Sequence, residues 1–279
     1  MECIMNRRDF IKAASVIATG GIAATTPACR WFDETPVTGT PIWTGGAGAK
    51  QPDSITGLTL WLKADAGVTH TAGSVTQWAD QSGNGYHMVP GVSPTYATGV
   101  VNGNPVLSFD GTQFLRNTAV PTPTNPTIIA VSSPLDSTNR RIASHTATQN
   151  DGWSFWWDLA EQYRIAFPVL TIGGLWATTY TPKAIKISSA GVFSINTGIH
   201  YGPANQVSHD GGYIQQYTGP NPTIFYGTAP IFNVGAQADA GNIFVGDIAE
   251  VIYYNRALTD NEILGIELYL SDKYAITLV

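Results

Sequence analysis

The stretch GDIAEVIYYNRALTDNE, residues 246–262, decides how the chain folds. Its first nine residues read as a strand, and Thr259-Asp260-Asn261-Glu262 reads as the start of a helix. Thr259 is placed as N-cap and Glu262 as the third helical residue, the reciprocal arrangement of a capping box. Ile263, Ile266, Leu270 and Tyr274 follow at helical spacing, which predicts one helix with an apolar face against a sheet. Asp260 in its first turn and Lys273 in its last complement the helix dipole. Two acids, Asp247 and Glu250, interrupt the strand. Paired carboxyls cleave glycosidic bonds, so this is either a catalytic strand or a structural one. Strand alternation puts Ile248, Glu250, Ile252 and Tyr254 on one face, and Asp247, Ala249, Val251 and Tyr253 on the other. Glu250 is then a semi-buried acid that needs a partner, because an unpaired buried charge is very costly. Arg256, Lys63 and a backbone turn are the candidates, and Glu250 is expected to pin the strand to a neighbouring loop.

Outward from this stretch, the chain is short alternating runs broken by turn residues. LTLWLKA (58–64), SVTQWAD (74–80), PVLSFDG (105–111), TIIAVSS (127–133), GWSFWWDL (152–159), YRIAFP (163–168), AIKIS (184–188) and GVFSINT (191–197) lead to NIFVGDIAEVIYY (242–254). Spacing of roughly ten residues with turns between is the pattern of an antiparallel β-sandwich. The composition agrees: 29 Gly and 17 Pro in 279 residues supply the turns. Charged residues make up only 12 % and the net charge is −6, with no basic stripe, which argues against a nucleic-acid partner.

The N-terminus differs. Arg7-Arg8, Phe10 and Lys12 precede an acid-free, weakly apolar run, Ala13 to Ala28, too short and too rich in Gly, Ala and Thr for a spanning helix. This resembles a twin-arginine export signal, which implies export to the periplasm or cell surface. Cys3 and Cys29 are the chain's two cysteines, so the body holds no internal disulfide. Ala28 before Cys29 fits a lipoprotein cleavage site, whereas Thr26 and Pro27 depart from one; lipid anchoring at Cys29 and ordinary cleavage nearby both stay open. Residues 1–29 are therefore read as signal, 30–57 as a linker or extended arm, and 58–279 as one domain.

Three stretches together resemble the concanavalin A-like (laminin-G-like, LamG) jelly-roll family. They are LTLWLKADAGV with VTQWADQSGNGYHM, then NGNPVLSFDGTQFL (102–115), then FVGDIAEVIYYNRALTDNEILGIELYLSDKYAI (244–276). The resemblance implies an all-β, two-sheet antiparallel jelly-roll sandwich with one short C-terminal helix, in which N- and C-terminal strands pair. It also implies, for many members, carbohydrate held on one sheet; some relatives are glycosidases and some bind calcium. Enzymes of this fold share a strand motif Glu-x-Asp-x-(x)-Glu. With Asp247 as its middle acid, the nucleophile position is Val245, and the acid position is Ala249, or Glu250 if a bulge intervenes. The catalytic reading therefore lacks its nucleophile.

The remaining candidates are local. In WADQSGNG (78–85), Asp80, Ser82 and Asn84 alternate like oxygen ligands of a calcium loop, but no bidentate Glu follows; the alternative is that Asp80 caps its own turn through the amides of Ser82 and Gly83. Asp110 is expected to cap an Asp-Gly hairpin. In WSFWWD (153–158), Trp153, Phe155 and Trp157 read as core. Trp156 beside Asp158 has what a sugar site needs, a flat ring and a hydroxyl acceptor, unless the strand is buried on both sides. His209 and Asp210, in SHDGGY, sit at a loop tip that is either a ligand site or simply solvated. Tyr213, Tyr217 and Tyr226 either extend an aromatic platform or cover the sheet. With the resemblance, these residues point first to a non-catalytic, lectin-like protein of the cell envelope binding a glycan or envelope polysaccharide, with no cofactor unless calcium. A surface protein–protein interaction or adhesion module, and a glycoside hydrolase with an unrecognised acid pair, are the alternatives.

Overall fold

The computed structural model describes residues 48–136, 140–148, 151–157, 190–201, 204–218, 224–238 and 241–278, and the short strands at 4–6, 30–32, 163–166, 169–170 and 176–177. Arg7, Arg8, Cys29 and Asp158, with the run 184–188, lie outside the described residues. The chain divides into two units, Met1–Ile42 with Val279, and Trp43–Leu278. In the first, β1 (Ile4–Asn6) and β2 (Arg30–Phe32) pair in parallel.

In the second unit the strands in chain order are β3 (Leu58–Lys63), β4 (Val68–Thr71), β5 (Ser74–Trp78), β6 (Val89–Val92), β7 (Thr95–Val101), β8 (Asn104–Asp110), β9 (Phe114–Asn117) and β10 (Thr127–Pro134). They continue with β11 (Arg140–Thr146), β12 (Trp153–Trp157), β13 (Tyr163–Ala166), β14 (Val169–Leu170), β15 (Trp176–Ala177), β16 (Ser194–Tyr201), β17 (Ala204–His209), β18 (Gly212–Thr218), β19 (Ile231–Val234) and β20 (Val245–Tyr254). The helix α1 (Asp260–Tyr274) follows. A ten-stranded sheet runs β18-β17-β16-β10-β20-β8-β7-β5-β4, with β3 also on β20; a six-stranded sheet runs β13-β12-β11-β19-β9-β6. The result is an all-β jelly-roll sandwich of two antiparallel sheets with one C-terminal helix.

The strand opened by the quoted stretch is the beam of the larger sheet. On one side β20 pairs along its whole length with β10. On the other it forks: Val245 to Ile248 pair with β8, and Glu250 to Tyr254 pair with β3. The first and last strands of the body are thus neighbours. Gly246 beside β10 has φ 141°, and a Cβ there would meet the Ser133 carbonyl, so only glycine fits.

The alternation expected for this strand fails at one point. Val131 pairs with Glu250 and Ser132 with Ile248, so Ala249 is an extra residue in a bulge. Ile248 therefore turns into the sandwich with Val251 and Tyr253, while Ala249, Glu250, Ile252 and Tyr254 face the helix. Between the sheets, Leu62, Ile128 and Tyr253 meet Trp153, Phe155 and Phe232. On the far face of the larger sheet, Trp61, Ile129, Ile252 and Tyr254 meet Ile263, Ile266, Leu270 and Tyr274 of α1. The capping box at Thr259 and Glu262 is present as the sequence predicts, and Ala275 closes the helix in the left-handed region. The end of the stretch read as a linker is docked: Lys50 N–H donates to the Gly265 carbonyl at 2.7 Å, Ile55 is buried, and the Tyr254 hydroxyl donates to Pro52 O at 2.8 Å. Gly265 weakens the helix intrinsically, yet a Cβ there would press on the Lys50 side chain, so the close approach explains it.

Two polar latches hold the helix down. Glu250 is fully buried, and its carboxylate accepts from Trp61 Nε1 (2.6 Å), Tyr274 OH (2.8 Å), Lys273 Nζ (2.8 Å) and Tyr269 OH (3.2 Å). Its partners come from α1 and β3. Neither Arg256 nor a loop is involved: Arg256 pairs with Glu262 at 2.6 Å, which holds the Glu262 carboxyl down at about 2, and Lys63 lies over the Trp61 ring. The second latch is Glu267, whose Oε1 accepts from the hydroxyls of Thr197 on β16 and Ser208 on β17, each at 2.8 Å. Burial, with the nearby Asp210 adding to it, raises the Glu267 carboxyl to about 7.

Removing the ammonium in Lys273→Met leaves Glu250 charged in a dry site, and a loss of about 3–5 kcal/mol is expected in urea unfolding. Adding Glu250→Gln to that variant should recover much of it; a loss under about 1 kcal/mol for the single variant would mean the pair holds nothing. Glu267 has the opposite sign from an ordinary paired acid. Its folded value lies above the unfolded 4.5, so its contribution is complete below about pH 4.5 and is lost as pH rises through about 7. Glu267→Gln should therefore gain on the wild type as pH rises, reaching about 3 kcal/mol at pH 8 and little at pH 4; a difference that does not vary with pH would contradict the assignment.

Candidate functional site

The acids that drew attention in the sequence are mostly occupied. Asp80 accepts from the amides of Trp61 (3.0 Å), Ser82 (2.8 Å) and Tyr86 (3.0 Å) and from the Ser82 hydroxyl (2.8 Å). It caps its turn as one reading had it, with Trp61 and Tyr86 in place of Gly83, and so ties the turn to β3. Asp110 accepts from the hydroxyl and amide of Thr112, which together hold its carboxyl below the usual range. Its turn is not a hairpin within one sheet: β8 belongs to the larger sheet and β9 to the smaller, so Asp110-Gly111 carries the chain between layers, with Gly111 at φ 94°. Among the described residues, no group of three His, Cys, Asp or Glu is arranged to hold a metal ion.

Asp247 is half-buried and accepts from Ser108 Oγ at 2.5 Å. The bulge at Ala249 overturns the expectation that Asp247 and Glu250 face opposite ways, since Asp247 also turns away from the sandwich when Ile248 turns in. What separates them is accessibility. Glu250 lies beneath α1 with its oxygens filled by protein donors.

His209 and Asp210 are parts of the β17–β18 hairpin. Asp210 at φ 46° and Gly211 at φ 79° form its two-residue turn. His209 is 1 % exposed; its Nδ1 lies 2.8 Å from Asn196 Oδ1 and its Nε2 3.1 Å from Asp210 Oδ2. Asp210 Oδ1 accepts the Ile195 amide at 2.6 Å. The pair thus braces β16 and is not presented at an open tip. Tyr213 pairs through its backbone with Ser208 in the same hairpin. Tyr226 packs on the sandwich core and donates to Pro123 O at 3.0 Å, so it covers the sheet.

Trp156 stands elsewhere. Trp153 and Phe155 are fully buried between the sheets as expected, so Trp156 points out from the smaller sheet, where it is half-buried. Register places Arg141 of β11 opposite it on one side and Arg164 of β13 on the other. The Arg141 guanidinium lies 4.6 Å over the indole ring. A bulge at Ile142 produces this: Ile142 and Ala143 both turn into the core, leaving Arg141 on the outer face with Trp156. Next to them run Ser154, Ser144 and Asn233 in register. The segment after β19 is held against this face, with Ser144 Oγ donating to Ala236 O at 2.9 Å and Ala238 N–H donating to Thr146 Oγ1 at 3.2 Å.

Arg141 is the feature that sequence reasoning missed. Its Nε and Nη1 are buried without a hydrogen-bond partner, and burial pulls the guanidinium down to about 10. Its neighbour Arg140 differs: it chelates Asp136, with Nη2 at 2.7 Å, and donates to Ile243 O. His145, also missed, sits in the core among Trp153, Tyr226, Phe232 and Tyr253. Burial lowers it to about 3, so it is neutral and structural at physiological pH.

Neither a family model nor a curated protein sequence matches the chain. Among solved structures, it is similar to domain 4 of AbnA, a GH43 extracellular arabinanase from Geobacillus stearothermophilus, in complex with arabinotriose. The TM-score is 0.57 at 18 % identity, covering 76 % of this chain and 97 % of that one. A mutant GH54 α-L-arabinofuranosidase follows at TM-score 0.51 and 14 % identity, covering 70 % of this chain and 50 % of that one. The receptor binding domain of botulinum neurotoxin mosaic serotype C/D reaches 0.50 at 12 % identity, covering 80 % of this chain and 51 % of that one. At such identities the likeness is one of fold.

Proposed function

We propose that the chain is an exported, non-catalytic carbohydrate-binding protein of the cell envelope, and that it meets glycan on the outer face of its smaller sheet. The observation that carries this is Trp156, a half-buried indole held on a sheet face beside a guanidinium. An aromatic surface with a few fixed polar groups is what sugar recognition uses. The domain of like fold in the arabinanase holds arabinotriose, which supports the same reading here. The laminin-G-like motifs support it as well. A non-catalytic role is favoured because Glu250, the one acid that the bulge brings to the face of Asp247, is sealed by α1.

A glycan array probed with the full chain, with and without calcium, tests the reading. Retention on a defined glycan class without release of reducing ends is expected; no retention across plant, algal and bacterial glycans would overturn it. Trp156→Ala should weaken that binding at least tenfold while moving the thermal midpoint by less than about 3 °C. A large fall in midpoint would instead make the ring part of the core. Export through the Arg7-Arg8 segment, with lipid anchoring at Cys29, belongs to the same proposal. Changing both arginines to lysine should leave the precursor inside the cell on fractionation, and undiminished export would remove that part.

A further inference from the structure

We infer that Arg141 makes this face a receptor for carboxylated glycans, with the guanidinium receiving the carboxylate of a uronate residue. This rests on the carbohydrate reading above and names its ligand class. Two observations on the outer face carry it. The guanidinium is held over the Trp156 ring at 4.6 Å. It is a buried cation with two N–H-bearing atoms, Nε and Nη1, that no protein acceptor meets. Arg140 and Arg256, by contrast, are matched by acids, Asp136 and Glu262.

A guanidinium withdrawn from water and left unpaired is costly, so its retention needs a compensating contact. The planar, multi-donor guanidinium suits the planar carboxylate better than it suits hydroxyls alone. A neutral sugar would leave the charge unanswered. A uronate would meet the cation with its carboxylate and place its ring beside the half-buried Trp156 indole. Binding is then controlled by the sugar's acid group.

The test is calorimetric titration of the full chain with homogalacturonan and alginate oligosaccharides, each in its free-acid and fully methyl-esterified forms, with a sulfated galactan as a further probe. At least one free acid is expected to bind, tenfold or more tighter than its ester. Arg141→Gln should remove that difference, and Arg141→Lys, which keeps the charge and loses the fork, should fall between. Equal binding of acid and ester, binding of neutral glycans alone on the array, or binding of the sulfated galactan alone would overturn this inference and leave the carbohydrate reading standing. No binding by any glycan would overturn both. The acid–ester comparison uses the wild-type chain, so it decides the matter even if the Arg141 variants fail to fold.

Discussion

The fold is organised around one carboxylate withdrawn from water. Glu250 stands where β20 hands over from β8 to β3, and it gathers donors from β3 and from two turns of the helix. A buried ion pair is a weak device for raw stability, because desolvation offsets much of the attraction. Its strength is discrimination. Trp61 and Glu250 are 189 residues apart, and only one register of β3 against β20 lets the indole N–H reach the carboxylate. Only one seating of the helix delivers Lys273 and both tyrosines. An all-apolar interface of the same volume would tolerate sliding; this one does not.

What was legible in the sequence was whatever is decided within a few residues. The capping box at Thr259 and Glu262, the turn caps at Asp80 and Asp110, and the inward side of Trp153 and Phe155 all follow from local spacing. The pairing of first and last strands followed from the resemblance of both to one family. What the sequence hid was decided by bulges and by distance. One extra residue at Ala249 moved Ile248 to the other face, and another at Ile142 set Arg141 outward; neither leaves a mark in composition. The partners of Glu250 were missed because nearness along the chain favoured Arg256, which the adjacent Glu262 had already engaged. Glu267 carries no local signal in the sequence, because its burial against two strand hydroxyls depends on how the helix lies on the sheet.

The two outer faces of the sandwich have been put to different uses. The larger sheet's outer face is closed by α1 and the segment leading to Ile55, so its aromatic residues, Trp61 and Tyr254 among them, are core. The smaller sheet carries Trp156 and Arg141 outward instead. The strands that carry this face rest on Trp153, Phe155 and Phe232, side chains locked between the layers, so the surface above them is presented by a rigid support.

That division fixes a polarity for the whole body. The backbone arrives at Lys50, against the helix, which is the side of the sandwich remote from Trp156. Whatever restrains the chain upstream of that point grips the body by its back. The arginine–tryptophan face lies on the opposite side of the sandwich from that point of entry.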